Sequence, residues 1–303
     1  MPYIGEAVAM ATVLCWTCSV QFFAAASRRV GSTAVNIVRL TAALILFAIL
    51  LLCKDGAAVP LHFPGHAWLY LSLSGIVGFF FGDIFLFKAL VELGPRVAML
   101  VQSLAAPTAA VLGWLFLQES YLPHQWLGIA VALFGVMVVI LERAAKSGQA
   151  KFAVRSVSAK GLLCGLAGMS GQAGGIVLSK IGMKTETGYL DAFAATEIRA
   201  MAAFFCFLLF FTATHRWRNV LDALADTRAV ALTAMGAFFG PFLGVSLSLL
   251  ALHYLTSGVA STFFALVPIC IIPFSIYLDK EHVSGRAVAG AMVAVCGVYL
   301  LSR

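Results

Sequence analysis

The sequence predicts an all-α integral membrane protein with ten transmembrane helices, arranged as two inverted five-helix repeats. Three observations support this prediction. Of the 303 residues, 62% are hydrophobic and 11% are charged, whereas a soluble domain is roughly half apolar and a quarter charged. The apolar residues form ten separate stretches, and the second half of the chain repeats the first. This composition excludes a soluble fold.

The ten apolar stretches are continuous rather than alternating, which favours helices over the strands of a membrane barrel. A helix needs about 20 apolar residues to cross a hydrocarbon core of about 30 Å. The fifth and tenth stretches are the shortest, but the matched pairs Gly128/Gly135 and Gly290/Gly297 predict that both are spans or neither is. The predicted spans are residues 4–26, 34–53, 66–91, 97–117, 125–141, 161–179, 192–213, 229–252, 259–278 and 287–301.

The two halves of the chain align with each other. Residues 89–136 match residues 251–298 without a gap at an offset of 162, and an offset of 160 extends the match upstream, pairing Arg39 with Arg199. If each half crosses the membrane five times, the second is upside down relative to the first, as in many secondary transporters. The predicted organisation is a first five-helix repeat at residues 1–141, a basic linker at 142–160 and a second five-helix repeat at 161–303.

The net charge of +7 bears on orientation rather than on nucleic acid. Lys and Arg number thirteen in the loops after odd-numbered spans and four on the other side. The positive-inside rule therefore predicts that both termini lie outside the cell. The N-terminus lacks the basic region and cleavage site of a signal peptide, so the first apolar run is interpreted as a retained membrane helix. We expect a multi-pass protein of the plasma (inner) membrane.

Four features recur in both repeats: an Arg early in the second helix, a Pro in the fourth, a Glu after it, and spaced glycines in the fifth. These residues are Arg39 and Arg199, Pro107 and Pro268, Glu119 and Glu281, and the two glycine pairs named above. In this pattern the chain resembles the EamA-type branch of the drug/metabolite transporter superfamily. The resemblance covers nearly the whole chain, and members with these motifs move amino acids, sugars, amines, nucleotide derivatives and drugs. Members usually have cytoplasmic termini, which is opposite to the charge count, so the orientation stays open.

Charged residues inside the predicted spans are the first candidates for a transport pathway. Each costs about 2.5–3.5 kcal/mol at a helix centre, so such groups usually face a cavity or a partner. Arg39 and Asp83 lie at similar depth on one membrane side and are predicted to face each other, as a pair or across a substrate. Val245 matches Asp83 in the second half, so a charged site would not be symmetric. The five candidates are Arg39, Asp83, Lys88, Glu197 and Arg199.

Lys88 has an alternative interpretation, because it lies close enough to the membrane edge to snorkel or to pair with Glu92. Uncharged polar residues widen the candidate set, although each can also be satisfied by ordinary packing. Pro107 and Pro268 interrupt corresponding helices, which predicts that the fourth and ninth spans line the pathway. The uncharged candidates are Trp16, Gln21, Asn36, Gln102, Pro107, Gln172, His253 and Pro268.

Rows of glycines in the third, sixth and eighth spans have two interpretations. They permit close helix packing in lipid, or they form smooth faces on which the halves rock against each other. The rows are Gly75, Gly78 and Gly82; Gly161, Gly165, Gly168, Gly171 and Gly175; and Gly236, Gly240 and Gly244.

The sequence predicts a transporter rather than an enzyme. It contains no phosphate-binding loop, zinc-protease motif or nucleophile elbow, and we expect neither a cofactor nor a metal. The predicted function is secondary active export of small polar metabolites such as amino acids, by alternating access around a central cavity. The alternatives are transport of hydrophobic drugs or lipids, and a non-transporting membrane scaffold. Expected partners are a small-molecule substrate and the lipid bilayer, with no nucleic acid; a monomer is sufficient, and a homodimer is compatible.

Overall fold

A computed structural model describes residues 3–86, 88–89, 92, 101–146, 159–186, 188–267, 269–271 and 285–301. Helices dominate these residues. Those of the first half are α1 (Ile4–Val30), α2 (Ser32–Asp55), α3 (Gly65–Ser74), which continues into a first π segment (Gly75–Gly82), α4 (Ala105–Leu117) and α5 (Pro123–Lys146).

The second half begins with α6 (Ala159–Met183), and a small antiparallel hairpin of β1 (Lys184–Thr185) and β2 (Gly188–Tyr189) follows it. The remaining elements are α7 (Ala192–Ala213), α8 (Trp217–Ala225), α9 (Thr227–Ala237), a second π segment (Phe238–Gly244), α10 (Val245–Ala251), α11 (Ser257–Phe264) and α12 (Gly285–Leu301).

Six helical segments are long and apolar enough to cross a membrane: Ile4–Val30, Ala34–Asp55, Gly65–Leu86, Ala159–Met183, Ala192–Ala213 and Thr227–Ala251. Four shorter apolar helices lie at Val101–Leu117, Pro123–Val139, Ser257–Ile271 and Val288–Leu300. Each overlaps one of the predicted apolar stretches. The chain is therefore an all-α membrane protein, as predicted, while the count of ten spans and the inverted arrangement stay predictions.

Local sequence explains where several helices begin. Gly31 has a φ of +82°, a left-handed value that favours glycine, and it separates α1 from α2. Asp191 and Asp226 cap α7 and α9 by accepting hydrogen bonds from the backbone N–H groups of Ala194 (2.9 Å) and Ala229 (3.0 Å). These caps satisfy backbone donors that the first helical turn leaves free.

The two π segments occupy matching positions in the two halves. At the offset of 162, residues 75–82 correspond to residues 237–244, so the π segment recurs together with the glycines of the third and eighth spans. In a π segment the hydrogen bonds span one more residue than in an α-helix, and such segments are frequent at functional sites. The duplication is thus visible in the backbone as well as in the sequence.

The predicted packing role of the glycines is confirmed. A Cβ on Gly175 would lie 3.1 Å from the Cα of Gly78, and one on Gly171 would lie 3.0 Å from the Cα of Gly82. Helix α6 and the first π segment therefore meet backbone to backbone. Between α5 and α12, a Cβ on Gly290 would lie 3.0 Å from the carbonyl oxygen of Gly135. Close approach of this kind drives helix association in lipid, where no hydrophobic force does.

One boundary corrects the sequence prediction. The sixth span was predicted to end at residue 179, with Lys180 counted among the loop charges, but α6 continues to Met183 and Lys180 is buried. A prediction from hydropathy alone ends a span at the first charged residue. Here the ammonium group is satisfied by a carboxylate from a distant helix end, so the helix continues past it.

Candidate functional site

A cavity of about 360 Å³ lies between helices of the two halves. Its walls come from both halves of the chain: α1, α2, the first π segment, α4 and α5 from the first, and α6, the second π segment, α10 and α11 from the second. The lining is mainly apolar, with a few polar groups. Arg39 and Asp83 are its charged members.

Arg39 and Asp83 form an ion pair at the cavity wall, and the predicted pairing is confirmed. Arg39 Nη2 donates to Asp83 Oδ2, and the two side chains are 18% and 12% exposed. Gln172 on α6 supports the pair, because its Nε2 donates to Asp83 Oδ1 (3.2 Å) and to the carbonyl oxygen of Gly78 (3.3 Å). The pair is thus held from three helical segments.

The two π segments place non-equivalent residues at the cavity. Asp83 directly follows the first π segment and Val245 directly follows the second, and both side chains line the cavity. The predicted asymmetry between these matched positions therefore falls at the cavity wall. One half contributes a carboxylate where the other contributes an apolar surface.

Arg199, which the repeat pairs with Arg39, is not itself a lining residue of the cavity, but it packs against one. Its guanidinium carbon is 4.6 Å from the centroid of the Phe79 ring, and Phe79 lines the cavity. Arg39 makes a looser contact of the same kind with Phe23, at 5.5 Å. A cation over an aromatic face is favourable, more so when it is shielded from water.

Three of the uncharged candidates line the cavity: Trp16, Gln102 and Gln172. Trp16 packs edge-on against Phe264 with ring centroids 5.1 Å apart. Gln102 Oε1 is buried and has no hydrogen-bond partner among the described residues. Pro107 lies in the first turn of α4, which begins directly after an interruption of the helix at Leu104. The predicted break in the fourth span is therefore present. Pro268 lies outside the described residues.

The other candidates are not brought to the cavity wall. Gln21 is half-buried in α1, and Asn36 and Glu197 are buried. Lys88 is exposed, with its Nζ 5.6 Å from the centroid of the Phe85 ring. The ring of His253 stacks on Tyr189 of the hairpin, 4.7 Å between centroids, at one end of the bundle.

A second polar cluster, which we call the Glu119 cluster, was not identified as a site from the sequence. Glu119 follows α4, and its Oε1 accepts from Lys180 Nζ at 2.7 Å. Its two carboxylate oxygens also accept from the backbone N–H of Ser257 at 3.0 and 2.9 Å, at the start of α11. Tyr121 donates to Oε2 at 2.6 Å, and Lys180 Nζ donates to the carbonyl oxygen of Leu255 at 2.6 Å. The cluster therefore consists of Glu119, Tyr121, Lys180, Leu255 and Ser257.

The Glu119 cluster joins the two halves at one end of the bundle, here called the Glu119 end. A carboxylate at the start of a helix is stabilised by the free N–H groups and by the helix dipole. Burial, and then the hydrogen bond to Glu119, raises the pKa of Tyr121, so its phenol stays protonated as a donor. The internal repeat aligns Glu119 with Glu281. It does not predict the contacts of Glu119 with Lys180 and Ser257, which lie 61 and 138 positions further along the chain.

At the opposite end of the bundle, called the Asp226 end, the two halves are joined through more exposed side chains. Arg29 Nε lies 2.8 Å from Asp226 Oδ2, and these side chains are 42% and 25% exposed. The buried pair at the Glu119 end is 8% and 7% exposed. Among the described residues, the buried ion pair between the halves is thus at the Glu119 end, whereas Arg29–Asp226 and Lys160–Glu92 are more exposed.

The fold and the cavity define an all-α membrane protein built around a central space that is large enough for a small molecule. The EamA-like transporter family matches residues 3–141 and 159–303. The chain belongs to this family, and it is accordingly a membrane transporter and not an enzyme. Within the described ranges, no three His, Cys, Asp or Glu side chains are grouped so that they could hold a metal ion.

Comparison with solved structures shows the fold alone. One crystal structure, described simply as that of a protein, has a TM-score of 0.73 and 17% identity over 98% of this chain and 94% of its own. No curated protein matches the chain.

Proposed function

We propose that the chain is a secondary active transporter that exports small polar metabolites such as amino acids across the plasma membrane. Access to the central cavity alternates as two inverted five-helix repeats rock against each other. The cavity itself is the main support, because it lies between the two halves and has an ion pair in an otherwise mainly apolar wall. Transporters of this plan place their substrate site at the repeat interface near the bilayer midplane.

Ten spans follow if the four shorter apolar helices also cross the bilayer. Each belongs to a pair related by the repeat: the fourth with the ninth, and the fifth with the tenth. The first repeat then occupies residues 1–141, the linker 142–160 and the second repeat 161–303. Since both halves of one chain line the cavity, a monomer is sufficient for transport, and a homodimer remains compatible.

The structure corresponds, in this proposal, to a state closed at the Glu119 end. Opening that end requires Glu119 and Lys180 to separate, since they belong to different halves. At the Asp226 end the ion pairs between described residues of the two halves, Arg29–Asp226 and Lys160–Glu92, are solvent-exposed and correspondingly weak. Access from the Asp226 end therefore needs the smaller rearrangement.

The direction of transport depends on which end faces the cytoplasm. The charge count places the Asp226 end in the cytoplasm, so the cavity would load from inside, in agreement with export. The cytoplasmic termini that are typical of the family would instead place the Asp226 end outside the cell, so the cavity would load from outside. A cysteine at Ser147, in the predicted linker, distinguishes the two in a background lacking the native cysteines. Labelling of intact cells by an impermeant reagent would contradict the charge count; protection until the cells are permeabilised supports it.

A second candidate substrate class is supported by the aromatic side chains of the wall. Trp16, Phe23, Phe79 and Phe264 all line the cavity, and they would suit a hydrophobic drug or a lipid. Such a substrate would leave the Arg39–Asp83 pair without a role. Loss of transport on neutralising either residue therefore favours the polar substrate.

Ligand-induced stabilisation of the purified protein tests the proposal. A ligand at 100 times its Kd raises the stability of the folded state by about 2.7 kcal/mol, which a thermal unfolding assay detects. We expect stabilisation by a member of a panel of amino acids, amines, sugars and nucleotides, and its loss in Arg39→Ala. Arg218→Ala, which removes an exposed arginine of α8, is the matched control. Stabilisation only by hydrophobic drugs or lipids would contradict the polar substrate class.

A further inference from the structure

We infer that the cavity takes its substrate as a monoanion, a carboxylate or similar organic acid carried on an apolar body. This inference rests on the proposed function, because it specifies the substrate class of the same cavity. It differs from the general proposal in predicting net negative charge, whereas a free amino acid is a zwitterion without net charge.

The charges around the cavity do not balance. Arg39 and Asp83 line the wall, and the guanidinium of Arg199 lies directly behind Phe79. Arg199 is 4% exposed and interacts electrostatically with Asp83. One carboxylate therefore faces two guanidinium groups, which leaves one net positive charge beside the cavity.

Glu197 does not occupy the position that would balance this charge. It precedes Arg199 by two residues on α7, which is about 200° around the helix at 3.6 residues per turn. It is buried but is not among the cavity-lining residues. A buried charge without compensation is costly, and an anionic substrate would supply the missing charge where Arg39 reaches the cavity.

The hydrogen-bonding groups show the same imbalance. Both carboxylate oxygens of Asp83 already accept, Oδ2 from Arg39 and Oδ1 from Gln172. The Nε–H groups of Arg39 and Arg199 have no acceptor among the described residues. An ammonium group would share Asp83 with the two donors it already has, whereas a carboxylate would offer Arg39 an acceptor that its Nε–H group lacks.

Further free polar atoms lie around the same space. Gln102 and Ser261 line the cavity, and the buried atoms Gln102 Oε1 and Ser261 Oγ have no partner among the described residues. The Ser261 hydroxyl can donate to a carboxylate, and the amide of Gln102 offers a donor as well as an acceptor. Arg39, Gln102 and Ser261 come from α2, from the segment before α4 and from α11, so a small acid group would be bound from several sides.

The rest of the wall determines the body of the substrate. Trp16, Phe23 and Phe264 present ring surfaces to the cavity. A volume of about 360 Å³ is at the lower end of the roughly 300–1,000 Å³ that is typical of small-molecule pockets. An organic acid with one ring or a short aliphatic chain matches both the size and the lining.

Ligands with one body and different charges test the inference without any mutation. The compounds 3-phenylpropionate, phenylalanine and 2-phenylethylamine share a phenyl ring on a two-carbon chain and carry net charges of −1, 0 and +1 at pH 7. Butyrate, 2-aminobutyrate and propylamine form a matched aliphatic set. Binding to the purified protein is measured by isothermal titration calorimetry. We expect the acid of at least one set to bind ten-fold or more tightly than its zwitterion, and the amine to bind weakest.

The variant Asp83→Asn sharpens the comparison. Removing the carboxylate raises the net positive charge, so acid binding should be retained or tightened, and any amine binding should be lost. Arg218→Ala should leave all affinities unchanged. Tightest binding by an amine or a zwitterion, or binding by no member of either set, would overturn the inference, and the wild-type ranking decides this even if Asp83→Asn fails to fold.

Flux measurements separate this inference from the proposed function. If the acid binds but proteoliposomes show no flux of it, the transport proposal fails while the charge selectivity of the cavity stands. If a zwitterion is carried and the acids do not bind, the inference fails and the transport proposal stands.

Discussion

Glu119 and Lys180, 61 positions apart in the chain and in different halves of it, form an ion pair of 2.7 Å with side chains 7% and 8% exposed. Ser257 donates its backbone N–H to the same carboxylate, so the pair is joined to the start of α11. Removing one partner of a buried ion pair typically costs 3–5 kcal/mol, because it leaves a charge without compensation. In our account this pair holds the Glu119 end closed.

Glu119→Gln should weaken this closure strongly. The amide keeps an acceptor for Ser257 but leaves the ammonium of Lys180 unpaired, so we expect a loss of about 3 kcal/mol from the state closed at the Glu119 end. Thermal unfolding of the purified protein and cysteine accessibility at that end report the change. Lys54→Gln, which breaks an exposed ion pair with Asp191 at the same end, is the control and should cost about 0–1 kcal/mol. Equal effects of the two variants would contradict a special role for Glu119.

The double variant Glu119→Gln with Lys180→Met distinguishes charge from packing. It removes both charges together, so no uncompensated ion remains, and a buried pair replaced by neutral groups is often close to neutral in stability. We therefore expect the double variant to be more stable than Glu119→Gln alone. Additive losses in a double-mutant cycle would show that the two side chains do not interact.

The backbone contact between α6 and the first π segment predicts different effects for two neighbouring glycines. A Cβ on Gly171 would lie 2.8 Å from the carbonyl oxygen of Val77, whereas one on Gly174 would meet only Val77 Cγ1, at 3.6 Å. Gly171→Ala should therefore lower stability by about 1–3 kcal/mol, as overpacking does. Gly174→Ala should be neutral or mildly stabilising, because helical Gly is less favourable than Ala. Thermal unfolding of both proteins measures the difference, and equal midpoints would contradict the packing role.

The Arg29–Asp226 pair predicts a pH dependence in the acidic range. The hydrogen bond from Arg29, and then that from Ala229, lowers the pKa of Asp226 below its ordinary value of 3.8. Since the folded-state pKa is the lower one, the contribution of Asp226 to stability is complete above pH 3.8 and is lost as the pH falls below it. The difference in unfolding temperature between wild type and Asp226→Asn should thus be constant from pH 5 to 7 and shrink below about pH 4. A difference that already disappears near pH 6 would contradict this assignment.

The sequence was sufficient to predict the charged pair at the cavity wall. Arg39 and Asp83 were paired because two charges at the same depth in lipid are most stable together. The matched Val245 predicted an asymmetric site, and both positions indeed line the cavity. Glycine spacing predicted close packing, because a missing side chain at helical intervals leaves a groove whatever the neighbouring helix is.

Contacts that depend on tertiary structure were not predictable in the same way. Lys180 was placed in a loop because hydropathy alone treats a charge as the end of a span, and its partner lies far away in the chain. The sequence does not predict the π segments, because glycines three or four residues apart fit a regular α-helix equally well. The Phe79 ring beneath Arg199 depends on how α7 packs against the first π segment, for which the sequence contains no local signal.

Uptake into proteoliposomes is the most direct test of the claim that the central cavity is the transport site. Using the ligand that stabilises the purified protein, we expect counterflow in wild type and in Arg218→Ala, and loss of at least ten-fold in Arg39→Ala and in Asp83→Ala at near-normal expression. The exchange Arg39→Asp with Asp83→Arg should restore part of the flux, because it restores the pair in reverse. Wild-type flux in either single variant would remove the Arg39–Asp83 pair from the pathway and contradict the account.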